Sequence, residues 1–180
     1  DLYPKIRCFQ IFVMYLTNFY KISRLNLLIM VMSIPIIALA CPLNITYDLA
    51  LEFKDSYWIA KTAEQLSDIY IACYNEVEAK KYNRDAIVYY EKANRRLNHL
   101  YSWCDRALLE GNSLNYNRAI EIADSIADIA RVELNDSSLL AYCIDVKFPI
   151  CFNAGKYEEA KECFRACLNF IVKNFMAAKS

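Results

Sequence analysis

The chain reads as an all-α protein of stacked helical hairpins, and three observations carry that reading. Breakers are scarce: Gly111 and Gly155 are the only glycines, Pro4, Pro35, Pro42 and Pro149 the only prolines, and no proline lies between Leu43 and Phe148. Apolar residues recur at steps of three and four through segments rich in Ala, Leu, Ile, Glu and Lys, with few alternating β-branched runs. Tyr116-x-x-Ala119 and Tyr157-x-x-Ala160 occupy the same place in the two halves of 115–164, on either side of Asn135-Asp136-Ser137-Ser138.

A ring three residues before a small residue puts both on one helix face. The small residue lets the preceding helix come close. This is the spacing of tetratricopeptide-like repeats, and it predicts a right-handed stack of about six to seven helices.

In chain order, Leu49, Phe53, Tyr57, Ala60, Ser67, Ile71 and Tyr74 step helically, so Tyr47 to Lys81 is expected to be helical, with Asp55 or Ser56 capping a helix near Tyr57. Lys80-Lys81-Tyr82-Asn83 reads as the first clear turn. The helix after it is expected to run from Arg84 to Tyr101, with Ala86, Tyr90 and Ala93 as a small–aromatic–small face, and to continue into Trp103-x-x-x-Ala107. Gly111 is expected to end that stretch as a left-handed cap. Ala86 to Ala119 spans 33 residues and Ala119 to Ala160 spans 41, a degenerate repeat. Asp136-Ser137-Ser138 caps the next helix, which holds Pro149 inside it or at a kink. Gly155 ends it, Lys156 opens a last helix to about Phe175, and Met176 to Ser180 is expected to fray.

The first 40 residues differ in kind. The apolar run Leu25 to Ala40 follows Lys21 and Arg24 and ends in Ala38-Leu39-Ala40, the pattern of a signal peptide or a short anchor segment. The helical repeat domain is placed at 42–180. The formal charge is zero overall, but residues 1–40 hold four basic side chains against Asp1 alone, leaving 17 basic and 20 acidic beyond them. That balance argues against nucleic acid as a partner, which calls for a broad basic surface. Asn44-Ile45-Thr46 and Asn135-Asp136-Ser137 have the form of glycosylation sequons.

No catalytic constellation assembles from the residue pattern, so an enzyme is not expected. His99 is the only histidine, and no motif places a nucleophile beside it; a surface or packing role is expected. Two glycines make no phosphate loop. Six of the eight cysteines sit in helical patterns as small apolar residues, with no metal-ligand spacing, so free thiols and neither metal nor cofactor are expected. Tyr89 and Tyr90 are adjacent, so only one can face the core fully. Lys92, Arg95 and Arg96, at helical spacing, read as one basic face with Lys61 nearby, suited to an acidic helical partner.

Four pieces in order resemble the alpha-type soluble NSF attachment protein family. They are Ile59-Ala60-Lys61 with Ser67-Asp68-Ile69-Tyr70; Asp85-Ala86-Ile87-Val88-Tyr89-Tyr90-Glu91; Tyr116-Asn117-Arg118-Ala119-Ile120-Glu121-Ile122; and Asp136-Ser137-Ser138-Leu139-Leu140-Ala141-Tyr142. Together they cover roughly residues 50–165. The resemblance implies a non-enzymatic adaptor in vesicle-mediated transport and membrane fusion. It would bind a SNARE four-helix bundle, recruit a hexameric disassembly ATPase, and be cytoplasmic and peripheral to the membrane. It implies partner contacts through Lys61, Arg95, Arg96 and Lys147; where the family carries a partner-facing lysine this chain has Asp145, with Lys147 close by. The alternative, from the leader and the sequons, is a secreted or membrane-anchored helical repeat module with an unrelated partner.

Overall fold

The computed structural model describes the backbone of residues 42–177 and the side chains of 42–169. The leader-like segment, Cys8, Cys41 and the last three residues of the tail lie outside these. The described residues form helices α1 (42–53), α2 (Ser56–Ala72), α3 (Glu76–Lys92), α4 (Arg96–Asn112), α5 (Tyr116–Asp128), α6 (Ser137–Asn153) and α7 (Tyr157–Ala177), with a π-helical segment, Ile129–Leu134, completing α5. The all-α expectation holds. Among the described residues no helix is long and apolar enough to cross a membrane.

Every connection is built the same way. One residue after each helix takes a left-handed backbone: Lys54, Tyr74, Asn94 and Leu114 at φ 56°, 56°, 53° and 65°, then Asn135 at 49° and Gly155 at 76°. The next amide returns to the last turn, as in Asn75 N–H to the Tyr70 carbonyl, Arg95 to Tyr90, Asn115 to Glu110 and Lys156 to Cys151, each 2.9 Å. This closure satisfies carbonyls a helix end would otherwise leave unpaired. Connections this short reverse the chain, so consecutive helices run antiparallel and pack as neighbours.

The first four left-handed residues recur every twenty positions. The fifth comes one residue late, at Asn135, and the π-helical turn at 129–134 absorbs that residue: Asp136 N–H reaches back six positions to the Ala130 carbonyl at 2.9 Å. A π-turn is the way a helix takes up one extra residue without breaking. Two turns make a repeat of about forty, marked by fully buried Ala79 and Ala119 and nearly buried Ala160 at the fourth position of α3, α5 and α7. Asp55 and Asp136 cap α2 and α6 with their carboxylates, as expected.

Four expectations are corrected here. The helical stretch expected over Tyr47 to Lys81 is broken twice, at Lys54-Asp55 and at Cys73-Tyr74-Asn75, where Lys54 and Tyr74 take left-handed backbones. Lys80 to Asn83 is not a turn; it lies inside α3, where Tyr82 and Asn83 are buried. The helix expected over Arg84 to Tyr101 breaks at Ala93-Asn94-Arg95, because Asn94 leaves the right-handed region. Gly111 is not the left-handed cap; that residue is Leu114, and Gly111 is a buried helical residue. Pro149 is carried inside α6 and Gly155 ends it, as read. Of the tyrosine pair, Tyr90 is the buried member.

Two apolar clusters fill the interior. The first joins α1, α2 and α3 through Tyr47, Ile59, Ala63, Leu66, Tyr82 and Tyr90. The second joins α4 to α7 through residues such as Cys104, Ile120, Ile126, Leu139 and Ile150. Between them the α3–α4 seam is polar: the buried Asn83 amide donates to the Ser102 carbonyl at 2.9 Å, while Asn83 Oδ1 and the Ser102 hydroxyl have no protein partner. In the second cluster α4 also packs on α6, two helices on. Cys104 meets Cys143, and seven residues further along each helix Gly111 meets Ile150. The two helices therefore run parallel in register. A Cβ on Gly111 would lie 2.8 Å from Ile150 Cγ1, so the glycine is there for close approach and not for a turn.

Gly111→Ala is expected to lower the unfolding free energy by about 1 kcal/mol, overpacking outweighing the gain in helix propensity. In an Ile150→Ala background the same step becomes stabilising. Urea unfolding of the four combinations checks it, and loss at Gly111 that is independent of residue 150 would contradict the close approach.

Candidate interaction surface

Because the helices alternate in direction, the starts of α2, α4 and α6 share one end of the stack with the finish of α3 and α5. The residues of interest gather at this end. Arg95, between α3 and α4, holds its guanidinium 5.1 Å above the Tyr57 ring at the start of α2. Tyr57 in turn packs against Trp58 at 5.7 Å and Tyr90 at 6.4 Å between ring centres. Lys92 lies 4.5 Å over Tyr89. Trp58 is 54 % exposed, a large ring at an end where cations already sit on rings.

The expected single basic face does not form. Lys92 ends α3, Arg95 stands between helices and Arg96 begins α4, because the left-handed Asn94 turns the chain between them. What the turn brings together instead is a mixed aromatic and cationic end. Arg96 pairs there with Glu133 of the π-helical segment. The extra residue that made the π-turn thus lies in the segment carrying Arg96's partner.

Lys61 has a structural task. Its ammonium meets Glu64 Oε2 at 2.7 Å, and the same oxygen accepts the Tyr90 hydroxyl at 2.8 Å. Glu64 is only 6 % exposed and Tyr90 fully buried, so the lysine neutralises a carboxylate that has left water. Through Tyr90 and Tyr57 it adjoins Arg95. Lys147 stands apart, in the body of α6, paired with Asp124 of α5 at 2.6 Å. Burial works against its charge, yet the hydrogen bond and charge of Asp124 prevail and raise its pKa above the usual lysine value. The structure thus groups Lys61, Arg95 and Arg96 near one end, gives each an ion-pair or ring partner, and leaves Lys147 elsewhere.

The opposite end carries a polar network that the residue pattern did not single out. Lys80 bridges Glu76 at 2.6 Å and the Ser113 hydroxyl at 2.5 Å, and Ser113 also donates to Glu76. Hydrogen bonds from Lys80 and then Ser113 hold Glu76 below the usual carboxylate pKa. Nearby, Glu110 pairs with Arg106 at 2.7 Å and accepts from Asn115 at 2.9 Å. Burial opposes ionisation of Glu110, but Asn115 and Arg106 outweigh it and lower its pKa. These are contacts between α3, α4 and the start of α5 that hold successive hairpins together. The Ser113 contacts escape the local pattern, since they join residues 33 and 37 positions apart, whereas Lys80–Glu76 and Arg106–Glu110 are pairs four apart on one helix.

His99 takes the packing role expected of it. Trp103 Nε1 donates to its Nε2 at 3.0 Å, so Nδ1 is the nitrogen that donates to the Ile87 carbonyl, also at 3.0 Å. Both nitrogens are engaged: the Nδ1 bond joins α4 to α3, and Trp103 holds the ring from within α4. Among the described residues no group of three or more histidine, cysteine or acidic side chains is placed to hold a metal ion.

Lys61→Ala is expected to destabilise the fold by about 1–2 kcal/mol, because it leaves the buried Glu64 charge without its cation. A double variant with Glu64→Gln recovers part of that loss. Equal stability of Lys61→Ala and the parent in urea would return Lys61 to the solvent-facing role. Comparison of the chain with family models, curated proteins and solved structures found no match.

Proposed function

We propose that this chain is a non-enzymatic interaction scaffold, a right-handed tetratricopeptide-like stack whose partner docks at the end formed by Tyr57, Trp58, Lys92, Arg95 and Arg96. One observation carries the reading: the same antiparallel hairpin recurs at a spacing of about forty residues, with buried Ala79, Ala119 and Ala160 at equivalent places. Stacked repeats of this kind present extended surfaces, and binding is what such surfaces do. The aromatic rings offer contact area at little entropic cost, and the cations on them set orientation.

The partner named by resemblance is the acidic four-helix SNARE bundle, which the chain would present to a hexameric disassembly ATPase from a cytoplasmic position peripheral to the membrane. In that mechanism a carboxylate of the bundle takes the place of Glu133 at Arg96 and joins Arg95 beside its ring. Lys61 supports the surface from beneath. Lys147 would contribute only through a second contact along α6.

A second reading, an exported or membrane-anchored repeat module with an unrelated partner, is favoured by the sequon at Asn135. Asn135 is exposed on a left-handed turn, whereas Asn44 accepts a 2.9 Å hydrogen bond from the Tyr82 hydroxyl.

Retention of the full chain on an assembled SNARE bundle, at low and moderate salt, tests the adaptor reading. Retention is expected that weakens with salt, is lost on Arg95→Glu with Arg96→Glu, and strengthens about threefold on Glu133→Gln, which frees Arg96. No retention at low salt, or retention indifferent to all three substitutions, would overturn it and leave the exported module.

A further inference from the structure

We propose that Cys104 and Cys143 form a reversible disulfide that staples α4 to α6. Their sulfurs lie 3.4 Å apart, both side chains are buried, and they sit on helices that share no hairpin and are thirty-nine residues apart in sequence. A disulfide needs the sulfurs at about 2.05 Å, so the bond asks for roughly 1.3 Å of approach. The contacts on either side hold the two helices in the register the bond requires. Tyr142 donates its hydroxyl to Asp105 and tilts its ring on Tyr101 at 5.2 Å, and seven residues along, Gly111 admits Ile150. The inference stands apart from the proposed partner: it concerns the seam between hairpins, whatever docks at their ends.

The oxidant would be a low-molecular-weight disulfide of the glutathione type. One protein thiolate attacks a sulfur of that disulfide, forming a mixed disulfide and releasing one small thiolate. The second protein thiolate attacks the protein sulfur of the mixed disulfide, forming the Cys104–Cys143 bond and releasing the other small thiolate. Two protein thiols are oxidised, one small disulfide is reduced to two thiols, and the two protons pass from protein to product. Both protein sulfurs are buried, so the first attack requires the α4–α6 seam to open locally. The bond therefore forms during folding or slowly in the folded chain, and reductant reverses it through the same slow local opening.

Four other thiols lie among the described residues. Burial raises the pKa of Cys73, Cys163 and Cys167, and that of Cys151 up to about 11; what sets the Cys104–Cys143 pair apart is the 3.4 Å between its sulfurs. Cys163 helps to raise the pKa of Cys151, and these two are the rival pair.

The test is to equilibrate the full chain across a series of oxidised to reduced glutathione ratios, trap free thiols by alkylation, and digest with trypsin. The expected product joins the peptide 97–106 to the peptide 132–147. Its appearance should raise the melting midpoint by about 5–10 °C over the reduced chain, and reductant should reverse both. Cys143→Ser removes the product, while Cys163→Ser leaves it unchanged. A chain in which Cys104 and Cys143 stay fully alkylatable at every ratio overturns the proposal. So does a dominant Cys151–Cys163 bond, or a joined product that melts below the reduced chain.

Discussion

A left-handed residue after each helix is the constraint on which the structure depends. It costs roughly 1–2 kcal/mol at a non-glycine position, and five of the six such positions here are not glycine. The cost is offset because each such turn closes the preceding helix with a backbone hydrogen bond and delivers the chain to the next helix start within three residues or fewer. Helix length, helix direction and the spacing of the buried alanines all follow from that recurring turn. Where one extra residue enters, the chain winds a π-turn and keeps the connection geometry. A local distortion of hydrogen bonding is evidently easier to bear than a shift in how two hairpins meet.

The interior is assembled from seams of different character. Apolar packing unites α1 with α2 and α3, and again α4 with the helices after it. Between these blocks the α3–α4 seam relies on Asn83, on His99 and Trp103, and on the Lys80–Ser113 contact. Hydrogen bonds of this kind fix a unique register, because each misaligned alternative leaves a buried polar group unpaired. The α4–α6 seam achieves register by shape: small residues at Cys104, Ala107 and Gly111 let a second-neighbour helix approach in parallel. Two means of fixing register, one polar and one steric, meet on the single helix α4.

The helical class was legible in the sequence because it rests on scarcity of breakers and on periodicity, both local properties. So were the caps at Asp55 and Asp136 and the stop at Gly155, where side-chain chemistry or the lack of a Cβ announces the backbone. The turns at Tyr74 and Leu114 were not legible, because those side chains carry no turn signal; Asn94 does tolerate the left-handed region, but the helical spacing on either side of it masked the turn. That loss had consequences. Lys80 to Asn83 looks like a polar turn only until Tyr82 and Asn83 are seen as buried, and the repeat measured from Ala86 is out of register with the true series Ala79, Ala119, Ala160. The basic face failed for the same cause: a turn hidden at Asn94 separates Lys92 from Arg95 and Arg96. Glu133 beside Arg96 and Asp124 beside Lys147 were also out of reach, since a cation's partner across helices is set by packing alone; Glu64, three residues from Lys61, was within reach as a pair, but its burial beneath Tyr90 was not.

These pairings reshape the functional question. A surface cation with no partner offers its charge freely, whereas in the proposed docking Arg96 would exchange Glu133 for a partner's carboxylate and gain only the difference. In that proposal specificity would come from the rings of Tyr57 and Trp58 and from the geometry the turn imposes on Arg95. The turn is therefore the claim to test first. Native-state hydrogen exchange on the amides of Asn75, Arg95 and Asn115 reads it directly, because each is bonded back to a helix carbonyl at 2.9 Å. The account predicts exchange at least about tenfold slower than in an unstructured peptide at all three, comparable with the last turn of the helix each one closes. Exchange at the unprotected rate at these amides, with the flanking helices still protected, would contradict it.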